Sequence, residues 1–334
     1  MPSQILSQKL VSNKIKIIYI AGLGRSGTTL LDRVLGQADN ACSTGELKLL
    51  WRRGCVKNQL CGCGKSFNTC MFWYSVMTQW HMCTKRDKFC IEELVAAQQE
   101  SISYWQHITN PSDVLHFSYA IYQLYRAIHL VSGAEYIIDS SKHPLYGLLA
   151  SHIADEFYVI HLIRDPRGVA YSGQKKVQRP DVQNDIKFMT QFHPASTAMK
   201  WNATNLGIEM LLKRKAHKYV RIRYEDFVKD PRIAVTQIQN NLGITLTQLS
   251  KLNQYDSRMG YCDVELNKAT HIISGNPMKL DQSPLRLKQD NEAGFVILQI
   301  VLSYIEGNQQ YREGISSHRR SGEFFREAMK RIFP

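Results

Sequence analysis

Four apolar runs punctuate the chain, and each ends in a turn dense with polar groups. Residues 15–21 lead into Gly22-Leu23-Gly24-Arg25-Ser26-Gly27-Thr28-Thr29, and residues 135–138 into Asp139-Ser140-Ser141-Lys142-His143-Pro144. Residues 157–163 lead into Arg164-Asp165-Pro166-Arg167, and residues 219–223 into Tyr224-Glu225-Asp226. Continuous apolar runs bounded by such turns predict buried parallel strands. Helical patterns follow three of them, over 28–37, 144–155 and 166–176, and Pro144 and Pro166 suit first helical positions. Strands alternating with helices predict an α/β fold with a central, mainly parallel sheet flanked by helices. In such sheets ligands bind beyond the carboxyl ends of the strands, where the loaded turns lie.

Residues 51–132 interrupt the alternation. They are rich in Cys, Trp, Tyr and Gln, and their later part reads as helical. We read them as a mostly helical insertion or cap on one domain spanning 1–334. A further helix is expected over about 291–306, and a basic tail over about 312–334.

The chain has 334 residues and a formal net charge of +13, with a pI near 9.3. That balance suits an anionic partner. The basic residues form short clusters, at Lys175-Lys176 with Arg179, at Lys213-Arg214-Lys215 and at Arg319-Arg320. With no helix-turn-helix, zinc-finger or aromatic-basic RNA-binding pattern, a small anionic ligand is the better reading than nucleic acid. No segment is long and apolar enough to span a membrane, and the first 16 residues lack a signal-peptide core. A cytoplasmic location is the expectation.

The first loaded turn nearly matches a phosphate-binding loop. Gly22 and Gly27 hold the glycine spacing of G-x-x-x-x-G-K-[ST], but Thr28 stands where the lysine belongs. That lysine reaches the β/γ-phosphates of a triphosphate, so its loss argues against triphosphate cleavage. Backbone amides, the hydroxyls of Thr28 and Thr29, the Arg25 guanidinium and a helix start still suit one phosphate.

These residues resemble the sulfotransferase superfamily that uses 3′-phosphoadenosine 5′-phosphosulfate. Gly24-Arg25-Ser26-Gly27-Thr28-Thr29-Leu30-Leu31 is similar to its 5′-phosphosulfate loop. Arg164-Asp165-Pro166-Arg167-Gly168-Val169-Ala170-Tyr171-Ser172 resembles its 3′-phosphate motif, with Arg164 and Ser172 at the family's offset of eight residues. Gly45-Glu46-Leu47-Lys48, Ser141-Lys142-His143-Pro144 and His271-Ile272-Ile273-Ser274-Gly275-Asn276-Pro277-Met278-Lys279 add to the likeness, which leans to the bacterial, carbohydrate and protein-tyrosine branches. The resemblance implies a P-loop-like sandwich and a donor bound at Gly24, Arg25, Ser26, Gly27, Thr28, Thr29, Arg164 and Ser172. By the same resemblance Ser274 belongs to a late loop that closes over the donor, and Lys279 is a further donor-phosphate contact, standing where relatives often carry arginine although lysine offers no bidentate fork.

Sulfuryl transfer depends on positioning and electrostatic stabilisation. It requires no metal in principle, and the sequence shows no obvious carboxylate set for one. Glu46, by resemblance, is the base for an acceptor hydroxyl (less readily an amine), with His143 as the rival. Lys142 and Arg25 stabilise charge on the transferring group. The acceptor is left open among small molecules, sugars, lipids and peptide hydroxyls. The competing readings are a P-loop kinase or NTPase and a non-catalytic nucleotide- or nucleic-acid-binding protein.

Cys55, Cys61, Cys63 and Cys70 lie close together, with Gly62 and Gly64 between them. The C-x-C step is tighter than the usual paired zinc arms. A cytoplasmic chain keeps thiols reduced, so reduced, packed thiols are expected, with a zinc site or disulfides as alternatives.

Overall fold

Strand β1 (Lys16–Ala21) runs through the middle of a five-stranded sheet. The computed structural model describes residues 14–84, 90–96, 111–179, 181–182, 186–249, 261–264, 271–273 and 285–288. The order is β2-β3-β1-β4-β5, where β2 is Ala41–Ser43, β3 Tyr136–Lys142, β4 Glu156–Ile163 and β5 Lys218–Arg223. Every neighbouring pair is parallel. The four runs read from the sequence are therefore four of the five strands. The fifth, β2, is three residues long and has no apolar run to announce it.

Alternate residues of the strands feed two cores, one on each face. Ile17, Tyr19, Ile137, Phe157 and Val159 point to one face, and Ile18, Ile20, Ile138, Ile160, Leu162, Val220 and Ile222 to the other. A sheet buried on both faces needs apolar residues at nearly every position, which explains the continuous runs. Helix α1 (Thr28–Leu35) covers the second face with Leu31, Val34 and Leu35. The inserted segment covers the first face. Trp51, Trp73 and Trp80 are fully buried there with Tyr19 and Phe157, and truncating such a residue typically costs about 3–5 kcal/mol.

Helix α2 (Met71–Cys83) carries Trp73 and Trp80, and Trp80 Nε1 donates to the carbonyl of Ala120 in α3 (Pro111–Ser132) at 3.0 Å. Helix α4 (Pro144–Ile153) follows β3 and packs Tyr146 and Ala150 on the first face. Helix α5 (Pro166–Gln174) follows β4, and α6 (Pro194–Gly207), α7 (Tyr224–Lys229) and α8 (Pro231–Leu242) complete the flanking layers. Strands Tyr261–Val264 (β6) and Leu285–Lys288 (β7) form a separate antiparallel pair. Among the described residues no helix is long and apolar enough to cross a membrane. The helix expected over 291–306 and the tail over 312–334 lie outside the described residues.

Strands β1 and β3 are neighbours, yet their following helices, α1 and α4, lie on opposite faces. Such a switch point opens a crevice at the carboxyl ends of the two strands. Beneath it the buried Asp32 of α1 accepts hydrogen bonds from Ser43 Oγ at 2.5 Å and Ser140 Oγ at 2.7 Å, tying the helix to β2 and β3.

Burial pushes the Asp32 carboxyl up to about 7, although both serine hydroxyls favour its charged form. The folded state therefore holds a proton that the unfolded chain releases near pH 4. The corresponding stability is full below that pH and is lost as pH rises toward 7. Asp139, raised to about 6 by burial, acts in the same direction. Asp32→Asn should flatten the fall in melting temperature between about pH 5 and about pH 8. An unchanged slope in a thermal-unfolding series would contradict this.

Candidate active site

The turn from β1 into α1 is shaped by three close approaches. The Gly22 amide donates to the carbonyl of Lys142 at 3.3 Å, and a Cβ on Gly22 would lie 2.5 Å from the Leu162 carbonyl oxygen. The loop thus starts wedged between the ends of β3 and β4. Gly27 has φ +88, and a methyl there would lie 2.5 Å from the Tyr224 ring, so only glycine fits. Arg25 also lies in the left-handed region, at φ 74. Thr28 opens α1, whose first-turn amides have no acceptor within the helix and favour an anion. Ser26 and Thr28 are buried, Gly24 is exposed, and Thr29 is half-buried.

The second cationic element reaches this loop from β4. Arg164 Nη1 donates to the Arg25 carbonyl at 2.8 Å, and its guanidinium lies 4.4 Å from the centre of the Tyr224 ring. The Arg25 guanidinium donates to the Ser172 carbonyl at 2.8 and 3.2 Å and also reaches Met189 Sδ. Burial lowers the pKa of Arg25, and the like charge of Arg164 lowers it further. Two guanidiniums held this close favour an anion between or beside them. Arg25, Arg164 and Ser172 therefore converge, although the Arg25 side chain turns to α5 rather than over its own loop.

Local folding explains the placement of Arg164. Asp165 caps α5 by accepting from the Arg167 amide at 2.8 Å, and its own amide donates to Glu225 Oε1 at 2.9 Å. The Arg164 carbonyl accepts from Trp201 Nε1 at 2.9 Å. Gly168 leaves room for the guanidinium, because a Cβ there would sit 3.1 Å from Arg164 Nε. Glu225 thereby braces the turn that carries Arg164. Tyr224 does more, since its ring touches both the loop and Arg164.

Across the crevice stands a half-buried ion pair. Lys142 Nζ donates to Glu46 Oε1, while Lys48 Nζ lies 3.5 Å from Glu46 Oε2. Lys142 ends β3 in the left-handed region at φ 70, where the β1–β3 register slips between Tyr19 and Ala21. Glu46 is aligned by an extension of the β2–β3 pairing: the Ser140 amide donates to the Gly45 carbonyl at 2.8 Å. Burial opposes charge on Glu46, but Lys142, Lys48 and Arg53 outweigh it and hold the carboxyl below its usual range. Burial lowers Lys48, and Lys142 pushes it the same way. Lys48 and Arg53 had no role in the sequence reading. Lys48 was legible only as part of Gly45-Glu46-Leu47-Lys48.

His143 immediately precedes α4 and is half-buried. Burial, and secondarily the charge of Lys48, lowers it to about 3, and its Nδ1 has no hydrogen-bond partner among the described residues. It is a neutral imidazole and a weak base in this environment. Ser274 and Lys279 lie outside the described residues. Cys61, Cys63 and Cys70 are brought together, with His271 among them, while Cys55 stands apart from that group.

The model of a family described as the sulfotransferase family matches residues 18–248. Comparison with curated proteins gave no match. Among solved structures, the chain is similar to a sulfotransferase domain from the curacin biosynthetic pathway, at 17% identity and TM-score 0.44, over 87% of this chain and 98% of that one. A sulfotransferase domain from the Synechococcus PCC 7002 olefin synthase gives 21%, 0.37, 87% and 96%. Sulfotransferase STF1 from Mycobacterium tuberculosis H37Rv gives 14%, 0.38, 70% and 69%. These structural likenesses are too distant to carry an argument, whereas the family model spans most of the chain and every described element from the phosphate loop to α8. The chain belongs to the sulfotransferase family.

Proposed function

We propose that this sulfotransferase moves a sulfuryl group from 3′-phosphoadenosine 5′-phosphosulfate to an acceptor hydroxyl. The observation that carries the reading is the Lys142–Glu46 pair at the mouth of a phosphate loop whose own lysine position is Thr28. An ammonium and a carboxylate in contact supply what in-line transfer needs, a stabiliser for the leaving oxygen and a base for the nucleophile. Gly24 to Thr29 hold the 5′-phosphosulfate through amides and hydroxyls. Arg164 and Ser172 take the 3′-phosphate, and Arg25 links the two regions.

In the transfer, the acceptor oxygen attacks sulfur as the bond from sulfur to the bridging phosphate oxygen breaks. The acceptor proton passes to Glu46. The bridging oxygen leaves with 3′-phosphoadenosine 5′-phosphate, its negative charge met by Lys142. A carboxylate paired with lysine is a poor base. Donor arrival draws Lys142 toward the bridging oxygen, which weakens the pair and raises the basicity of Glu46 as the acceptor binds. His143, whose imidazole is held neutral, suits this role less well. The aromatic-rich insertion helps shape the acceptor pocket.

Two variants test this division of labour. Lys142→Ala should lower donor turnover by about 100-fold or more while changing donor affinity less than about tenfold. Unchanged turnover of labelled donor would remove Lys142 from the mechanism. Arg164→Ala should weaken 3′-phosphoadenosine 5′-phosphate by about tenfold or more, since a charge-assisted contact to a partly buried phosphate is lost. Equal affinity in calorimetry would remove Arg164 from the 3′ site.

A further inference from the structure

Three thiols and one imidazole meet on the first face of the sheet, from segments about two hundred residues apart in sequence. Cys61 and Cys63 lie on one tight turn. Leu60 and Ser66 pair across its base, the Cys61 amide donates to the Lys65 carbonyl at 2.8 Å, and the Gly64 amide donates to the Cys61 carbonyl at 2.9 Å. Gly64 closes the turn at φ +85. Cys70 sits at the N-terminus of α2, where the helix dipole favours a thiolate. His271 arrives with its ring stacked on Phe72, centroids 4.5 Å apart, and its carbonyl accepting from Trp73 Nε1 at 3.0 Å. Its Nδ1 faces the sulfurs.

We propose that Cys61, Cys63, Cys70 and His271 bind one zinc ion as a structural site. Tetrahedral zinc with Zn–S near 2.3 Å and Zn–N near 2.0 Å implies S···S edges of about 3.8 Å and S···N edges of about 3.5 Å. The Cys63–Cys70 and Cys61–Cys70 sulfurs lie 3.6 and 3.7 Å apart. His271 Nδ1 lies 3.4 Å from Cys70 Sγ and 3.7 Å from Cys61 Sγ. All four ligand atoms lie within 4.8 Å of one another. Four of the six edges thus match those of a coordination tetrahedron. A disulfide would join two of the sulfurs and strand the third. Cys61 and Cys70 are buried, while Cys63 and His271 are half-exposed and give the ion a way in. On binding, the three thiol protons leave to solvent and the imidazole coordinates as the neutral base.

The site ties the insertion to the segment that braces the candidate base. The Gly62 amide donates to the Ile272 carbonyl at 3.0 Å, the Ile273 amide to the Thr44 carbonyl at 2.8 Å, and the Glu46 amide to the Ile273 carbonyl at 3.1 Å. Zinc at Cys61, Cys63, Cys70 and His271 therefore fixes 271–273 against Gly45 and Glu46.

The test is elemental analysis of protein purified under reducing conditions without chelator, followed by cobalt(II) substitution. Wild type should carry about one zinc per chain. Cobalt should give the intense visible bands of a tetrahedral site with thiolate-to-metal charge transfer. Cys63→Ser and His271→Ala should lose the metal, whereas Cys55→Ser should keep it and His271→Cys should restore tetrahedral cobalt. Should the losing variants fail to fold, the wild-type and His271→Cys spectra decide. A wild type without zinc that gives no tetrahedral cobalt spectrum would overturn the proposal, as would undiminished zinc in well-folded Cys63→Ser and His271→Ala.

Discussion

The meeting of Lys142 with Gly22 is the join on which the rest of the site depends. One carbonyl accepts the first amide of the phosphate loop, and the same residue sends its side chain to Glu46. The left-handed backbone at Lys142 and the register slip beside it lie at the end of β3, where the sheet opens into the crevice. Parallel strands with helices on opposite faces create that opening. On the function proposed above, Lys142 supplies from the neighbouring strand the lysine that the loop lacks.

Charge is layered around this point. Two arginines, Arg25 and Arg164, flank the loop on the β4 side, and Glu46 with Lys142 and Lys48 lies on the β3 side. Beneath them Asp32 and Asp139 are satisfied by hydroxyls: Ser43 and Ser140 donate to Asp32, and Tyr125 and Ser141 donate to Asp139. Hydroxyl donors let buried carboxyls brace the strand ends without bringing in a further cation.

Much of the scaffold was legible because burial on both faces forces continuous apolar runs, which 15–21 and 157–163 show plainly. The end of β3 was harder to read. Asp139-Ser140-Ser141-Lys142 looks like a turn, yet it is strand, because Tyr125, Asp32 and the Lys48 amide satisfy its polar groups inside the fold. Glu46 and Lys142 could be named by resemblance, but their contact spans 96 positions and no local pattern encodes it. Arg164 was readable as a cation at a strand end, whereas its seat on Tyr224 needed the loop and α7 to meet. His271 escaped the cysteine reading for the same reason: the thiols are close in sequence and the imidazole is not. Cys55 was grouped with them by proximity, but it packs against the core, and burial raises its thiol to about 12.

On the function proposed, the loop and Arg164 together hold a nucleotide carrying phosphates at both its 5′ and 3′ positions. Calorimetric titration with 3′-phosphoadenosine 5′-phosphate, against 5′-AMP and ATP, decides it. Removing the 3′-phosphate should weaken binding by about tenfold or more, about 1.4 kcal/mol, and ATP should bind less well. Equal binding of 5′-AMP, or a preference for ATP, would contradict it.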